Sequence, residues 1–200
     1  MSKLPADFYQ REDILVISCE LLGKVLCTNF HGKLTSGIIV ETEAYGGITD
    51  RASHAYGGRR TKRTDIMYTP GGTAYVYLCY GIHHLFNIVT NKENTPHAIL
   101  IRAIQPQDGI ETMLQRRNKK KVTPSLAAGP GALTQALGIT VVNSGISLKD
   151  NLIWLEDQNI FYSNQNINAS PRVGVQYAGK DAQNFWRFRI ENSPYVSPAH

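Results

Sequence analysis

One strand-like run constrains this chain more than any other feature. Residues 34–45 carry the period-two pattern of a strand and end in Ile39-Val40-Glu41-Thr42-Glu43-Ala44-Tyr45. Strand side chains alternate between faces, so Ile39, Glu41, Glu43 and Tyr45 are expected on one face and Ile38, Val40, Thr42 and Ala44 on the other. Packing alone does not ask for a strand with one apolar face and one face bearing two carboxylates and a phenol. A second run, residues 73–87, places Tyr75 and Tyr77 on one face and Val76 and Leu78 on the other, and Tyr80-Gly81 reads as a turn. The chain thus offers acids on one strand, aromatic rings on another and a tyrosine at a hairpin tip.

The segments around these strands read as scaffold. Asp13 predicts an N-cap for a helix over residues 14–22, stopped by Gly23. A strand over 24–30 turns through His31-Gly32-Lys33 into the acid strand. Residues 46–68 show no sustained period and are read as an ordered functional loop. Pro70-Gly71-Gly72 is a turn, and a return strand over 84–90 puts Leu85, Asn87 and Val89 on one side. Residues 98–104 are nearly all apolar except Arg102, and an unpaired buried charge is costly, so Arg102 is expected to meet Glu41 or Glu43. Helices are predicted over 108–118 and 132–137, strands over 152–155, 172–175 and 185–190, and a polar loop over 163–168. This mixed order, without βαβ alternation, predicts a single α+β domain over residues 1–200, built on a curved, mainly antiparallel sheet with helices packed around it.

Charge narrows the partners. The 200 residues carry a formal net charge of +5, and the positive residues are clumped, Arg51, Arg59, Arg60, Lys62 and Arg63 in one group and Arg116, Arg117, Lys119, Lys120 and Lys121 in another. Such clusters are the footprint of a phosphate-backbone binder, and the first lies between the acid strand and the tyrosine strand. Cys19, Cys27 and Cys79 are scattered, odd in number and without zinc spacing, which suits a reducing compartment. No run approaches the roughly 20 apolar residues of a membrane helix, and residues 1–5 lack a signal-peptide core. An intracellular protein with no membrane association, no metal and no cofactor is expected.

Glu41 and Glu43, two apart on a strand, have Cα atoms roughly 7 Å apart on one face. Like charges at that range favour different roles, and either carboxylate could accept a proton from water and so make a nucleophile. A third metal ligand is not found at convincing spacing. Tyr45, Tyr75 and Tyr77 could form a slot that prefers a cationic or electron-poor ring, which points to a nucleobase. An enzyme acting on a base must swing it out of the duplex, and a bulky residue at a hairpin tip, Tyr80, would fill the gap. Asn87 could read a base edge or exclude one by clash, and His54 could donate to a base or position a phosphate. Two other readings are a non-catalytic nucleic-acid binding module, with the tyrosines as a stacking platform, and a metal-dependent nuclease using both glutamates.

The motifs E-T-E-A-Y at 41–45, His54, Y-V-Y-x-x-Y-G at 75–81, Asn87, L-I-R-A at 100–103, G-P-G-x-L-x-x-A-L at 129–137 and R-V-G-V at 172–175 together resemble the alkyladenine family of 3-methyladenine DNA glycosylases, the single-domain type without a helix-hairpin-helix. The likeness runs from about residue 7 to residue 197. It implies a monomeric, monofunctional enzyme that hydrolyses the N-glycosidic bond of alkylated purines in double-stranded DNA. By that resemblance Glu43 is the general base, and Arg102 and the main-chain carbonyl of Val173 also contact the hydrolytic water. Tyr45, Tyr77 and His54 line the base pocket, Tyr80 intercalates and Asn87 obstructs the exocyclic amine of normal guanine. Ile82 and His83 stand where a methionine and a tyrosine are usual in vertebrate members.

Overall fold

The structure, a computed structural model, describes residues 2–198. In chain order its elements are β1 (Ser2–Lys3), α1 (Ala6–Tyr9), α2 (Ile14–Glu20), β2 (Val25–Phe30), β3 (Lys33–Tyr45), β4 (Ala74–Cys79), β5 (His83–Thr90), β6 (His97–Pro106), α3 (Ile110–Arg116), α4 (Pro130–Leu137), β7 (Ile153–Asp157), β8 (Ile167–Ser170) and β9 (Arg187–Ile190). Among the described residues the nine strands form one curved antiparallel sheet in the order β1-β7-β2-β3-β6-β5-β4. Off that path, β9 pairs with both β3 and β8. This is the α+β class expected from the mixed order of elements. No helix among the described residues is long and apolar enough to cross a membrane.

Alternation assigns the two faces. On β6, Ile99, Ile101 and Ala103 enter the main core while Leu100 and Arg102 turn to the opposite face. On β5, Phe86 and Ile88 take the core side while Leu85 and Asn87 take the other. Helices cover the core side, α2 against β3 and β6, and α4 against β5 and β6. The Asp13 carboxylate caps α2 by accepting from the N–H of Leu15 at 2.9 Å and of Val16 at 3.1 Å. Ile17 and Leu21, one turn apart, are fully buried, each stabilising the fold by roughly 1.5–3 kcal/mol. Gly23 ends this stretch at φ +90°, where a Cβ would lie 2.4 Å from the Ile160 carbonyl oxygen, so no other residue fits. The opposite face stays open and becomes one wall of a cleft.

Several expectations are corrected. Pairing of β3 with β6 is irregular between Ile39 and Thr42, Ile39 lies wholly in the main core, and the acid-bearing face begins at Glu41. The helix predicted over 132–137 starts at Pro130, because the first turn tolerates a residue without an N–H. Residues 172–175 are a turn with Gly174 at φ +73°, not a strand. The predicted polar loop ends as β8, whose Ile-Asn-Ala-Ser sequence has no apolar period and is held by its ladder with β9.

Candidate active site

Strand β3 carries both acids away from the core, into unlike surroundings. Glu41 is fully buried. Its Oε1 accepts from Arg102 Nε at 2.7 Å, Arg187 Nε at 2.7 Å and Ser197 Oγ at 2.8 Å, and its Oε2 from the Ser197 N–H at 2.6 Å. Four donors bind this one carboxylate and none of its surface is exposed, so Glu41 is not open to a substrate. Glu43 faces the cleft instead. Its Oε1 accepts from the Val173 N–H at 2.8 Å and lies 3.3 Å from Arg102 Nη1, and its Oε2 accepts from the Tyr45 hydroxyl at 2.8 Å. Two hydrogen bonds occupy two of about four acceptor positions, with Arg102 an ion-pair neighbour, which leaves room for a further donor such as a water O–H. Burial works against the Arg102 charge, but Glu43 and Glu41 outweigh it and its pKa is raised. Arg102 thus bridges the two acids it was expected to choose between.

The cleft, about 720 Å³, is lined by the eight residues to which the resemblance gives a role, Glu43, Tyr45, His54, Tyr77, Tyr80, Asn87, Arg102 and Val173, and by Tyr75, but not by Glu41. The His54 ring stands edge-on to Tyr77, with centroids 4.7 Å apart, and its Nδ1 is 2.8 Å from the Tyr75 hydroxyl. Burial first, then Arg63 and Arg59, push the His54 pKa down to about 4, so the ring is neutral at pH 7. Burial raises the pKa of the Tyr45 and Tyr77 phenols, which stay protonated. Asn87 is buried, and its Nδ2 donates to the carbonyls of Tyr75 at 3.2 Å and Leu85 at 3.4 Å. Tyr80 occupies the β4–β5 hairpin tip at φ +51°, with 91% of its surface exposed. Such exposure of a large ring at a cleft mouth contributes nothing to the core. Among the described residues no three His, Cys, Asp or Glu side chains gather to hold a metal ion.

Residues 7–194 match the model of the family described as methylpurine-DNA glycosylase. The chain belongs to that family. It is 46% identical to a Chlamydia felis protein over 94% of this chain and 95% of the relative. A Bacillus mycoides protein is 45% identical, covering 96% and 98%, and a Chlamydia pneumoniae protein 44%, covering 94% and 94%. Each carries the name "Putative 3-methyladenine DNA glycosylase".

Around the site lie further buried charged and polar residues to which no role was assigned from the sequence. Arg187 and Ser197 complete the shell of Glu41. Arg187 sits between Trp186 and Phe188, the same signal of a cation in an apolar strand that exposed Arg102. Asp50 and Arg172 form a fully buried ion pair, and their separation in the chain leaves no local signal. The two basic clusters differ in kind. Arg116 donates to Thr35 Oγ1 and the Ala136 carbonyl, and Arg117 to the carbonyls of Leu126 and Ser125, so both are tied to the scaffold. The first cluster is exposed, and the Arg63 guanidinium lies 6.0 Å from the Tyr77 ring at the cleft.

Proposed function

We propose that this cleft hydrolyses the N-glycosidic bond of an alkylated purine swung out of double-stranded DNA, releasing the free base and leaving an abasic site, as the first step of base excision repair. The observation that carries the reading is Glu43, a buried carboxylate at a cleft walled by aromatic rings, with an acceptor position open beside Arg102 and Val173. Alkylation of a ring nitrogen makes the purine a cationic leaving group, so the site has to supply little beyond a held water and a base. Glu43 takes a proton from that water as its oxygen bonds to C1′ and the electron pair of the broken C–N bond leaves on the purine. Arg102 and the Val173 carbonyl orient the water. Tyr45, Tyr77 and neutral His54 receive the flipped ring, and a slot of electron-rich faces close to a carboxylate favours a cation over a neutral base. Asn87 stands where an exocyclic amine of normal guanine would clash, and Tyr80 fills the vacated place in the stack.

Among the described residues no lysine lines the cleft, which supports hydrolysis without a Schiff base and without strand cleavage. The enzyme is proposed to act as a monomer, in a single domain over residues 1–200, inside the cell where the substrate is. The test is chromatography of free bases liberated from a methylated duplex by the wild type and by Glu43→Gln. Wild-type release, and a loss of at least about a hundredfold in the variant, are expected. Near-normal release by Glu43→Gln would remove Glu43 from its role, and duplex binding with no base released by the wild type would return the chain to a stacking module.

A further inference from the structure

Four segments converge on one buried side chain beside the cleft. Arg172 Nη1 donates to the Ala44 carbonyl at 2.8 Å and pairs with Asp50 Oδ2, while Nη2 donates to Asp50 Oδ1 at 2.9 Å and to the Asp181 carbonyl at 3.1 Å. The guanidinium centre lies 4.8 Å from the Tyr45 ring and 5.0 Å from the Trp186 ring. Asp50 also accepts from the N–H of Gly46 and of Ala52, each at 3.0 Å, and so shapes the loop that leads to His54. The next residue in the chain, Val173, gives its N–H to Glu43, and Tyr45 gives it a hydroxyl. Both hydrogen-bond donors on Glu43 are therefore held by Arg172, one through the main chain and one through a stacked ring.

Stability alone is a poor reason for this arrangement. A buried ion pair can often be replaced by well-packed apolar residues without loss, and Arg172 Nε has no hydrogen-bond partner among the described residues. An apolar filler could not fix direction. The guanidinium fork sets one axis through Asp50, and its flat face sets another against Tyr45 and Trp186. We infer that Arg172, with Asp50, is a positioning residue for the hydrolytic site, setting the Tyr45 phenol and the Val173 amide so that Glu43 is aimed at the water. The inference rests on the role given to Glu43 above.

The experiment is a mutant cycle in single-turnover release of base from a methylated duplex, comparing wild type, Tyr45→Phe, Arg172→Lys and the double variant. Lysine keeps the charge but has neither the fork nor the flat face. Each single change is expected to slow release by about 10- to 100-fold, the range for partners that orient a reacting group from outside, with duplex affinity unchanged. Because Arg172 acts partly through Tyr45, the double variant should fall well short of the product of the two losses. Losses that multiply in full, or wild-type rates in Arg172→Lys, would overturn the inference and leave the role of Glu43 standing. If Arg172→Lys does not fold, Trp186→Leu strips one face of the stack and enters the same cycle with the same deciding outcomes. Failure of the wild type to release any base would overturn the role of Glu43 and this inference with it.

Discussion

Neutralising each glutamate in turn should separate stability from chemistry. Glu41 and Glu43 face Arg102 and Arg187, two anions against two cations, with side chains 0–8% exposed. Glu41→Gln leaves two buried guanidinium groups against one carboxylate, and removing one partner of a buried pair costs about 3–5 kcal/mol. Hydrogen bonding offers no rescue. The new amide nitrogen must point either at the Ser197 N–H, which now donates at 2.6 Å, or at Arg102 and Arg187, so that donor meets donor in both orientations. At Glu43 the outcome differs, because the Tyr45 hydroxyl can reverse and accept from a glutamine nitrogen while the glutamine oxygen keeps the Val173 N–H. Both guanidinium groups also keep their 2.7 Å bonds to Glu41, and Glu43 meets only Arg102, at 3.3 Å, so the cost there is mainly the difference between a charged and a neutral hydrogen bond, about 1 kcal/mol. For a domain of this size 1 kcal/mol moves the melting temperature by about 2–4 °C. Calorimetry at pH 7 should therefore find Glu41→Gln lowered by about 6–20 °C and Glu43→Gln by about 2–4 °C. Melting of Glu41→Gln within the range expected for Glu43→Gln, or an equal fall in both, would refute this division of roles.

Two further outcomes follow from the cleft. The His54 ring, held at a pKa of about 4 against an ordinary 6.5 by burial and by Arg63 and Arg59, should titrate near pH 4 in a proton NMR series, and a midpoint at 6 or above would contradict its burial. Since the unfolded chain takes up that proton first, the stability contributed by the neutral ring is complete above about pH 6.5 and is lost as the pH falls from there through about 4. Tyr80→Ala removes an exposed ring and should leave the melting temperature unchanged while weakening the flipped state by about 1–3 kcal/mol, the worth of one stacked base. A fluorescent base analogue beside the lesion reports this directly, and an unchanged signal would show that another group fills the stack.

Much of the site was legible because its signals are local. Glu43 and Tyr45 lie two apart on one strand, Tyr75 and Tyr77 two apart on another, and period two alone puts each pair on one face. Arg102 betrayed itself as a cation in an apolar run. The register irregularity at Ile39–Thr42 was not legible, since an alternating sequence reads the same through a bulge. Nor was the turn at 172–175, whose Val-Gly-Val composition mimics a strand while its conformation is set by Asp50, far away in the chain. β8 was missed because an edge strand needs no apolar face when a neighbour supplies its ladder.

The unequal roles of the two glutamates have the same non-local origin. Along Lys33–Phe30 pairing and as far as Ile38, β3 has β2 at one edge, and from Glu41 to Glu43 that edge belongs to β9. In an uninterrupted sheet the two carboxylates would stand in like surroundings. The change of neighbour brings Arg187 against Glu41, and the chain beyond β9 returns Ser197 to the same carboxylate. Glu43, two residues on, meets Val173 and Tyr45 and keeps an acceptor position toward the cleft. One acid is thus used up in holding two buried cations, and the Arg102 cation it helps to hold is the group that reaches across to the other. The chemistry proposed for Glu43 depends on Glu41 in this way: without this buried anion behind it, Arg102 would draw on Glu43 alone, and the open position that receives water would close.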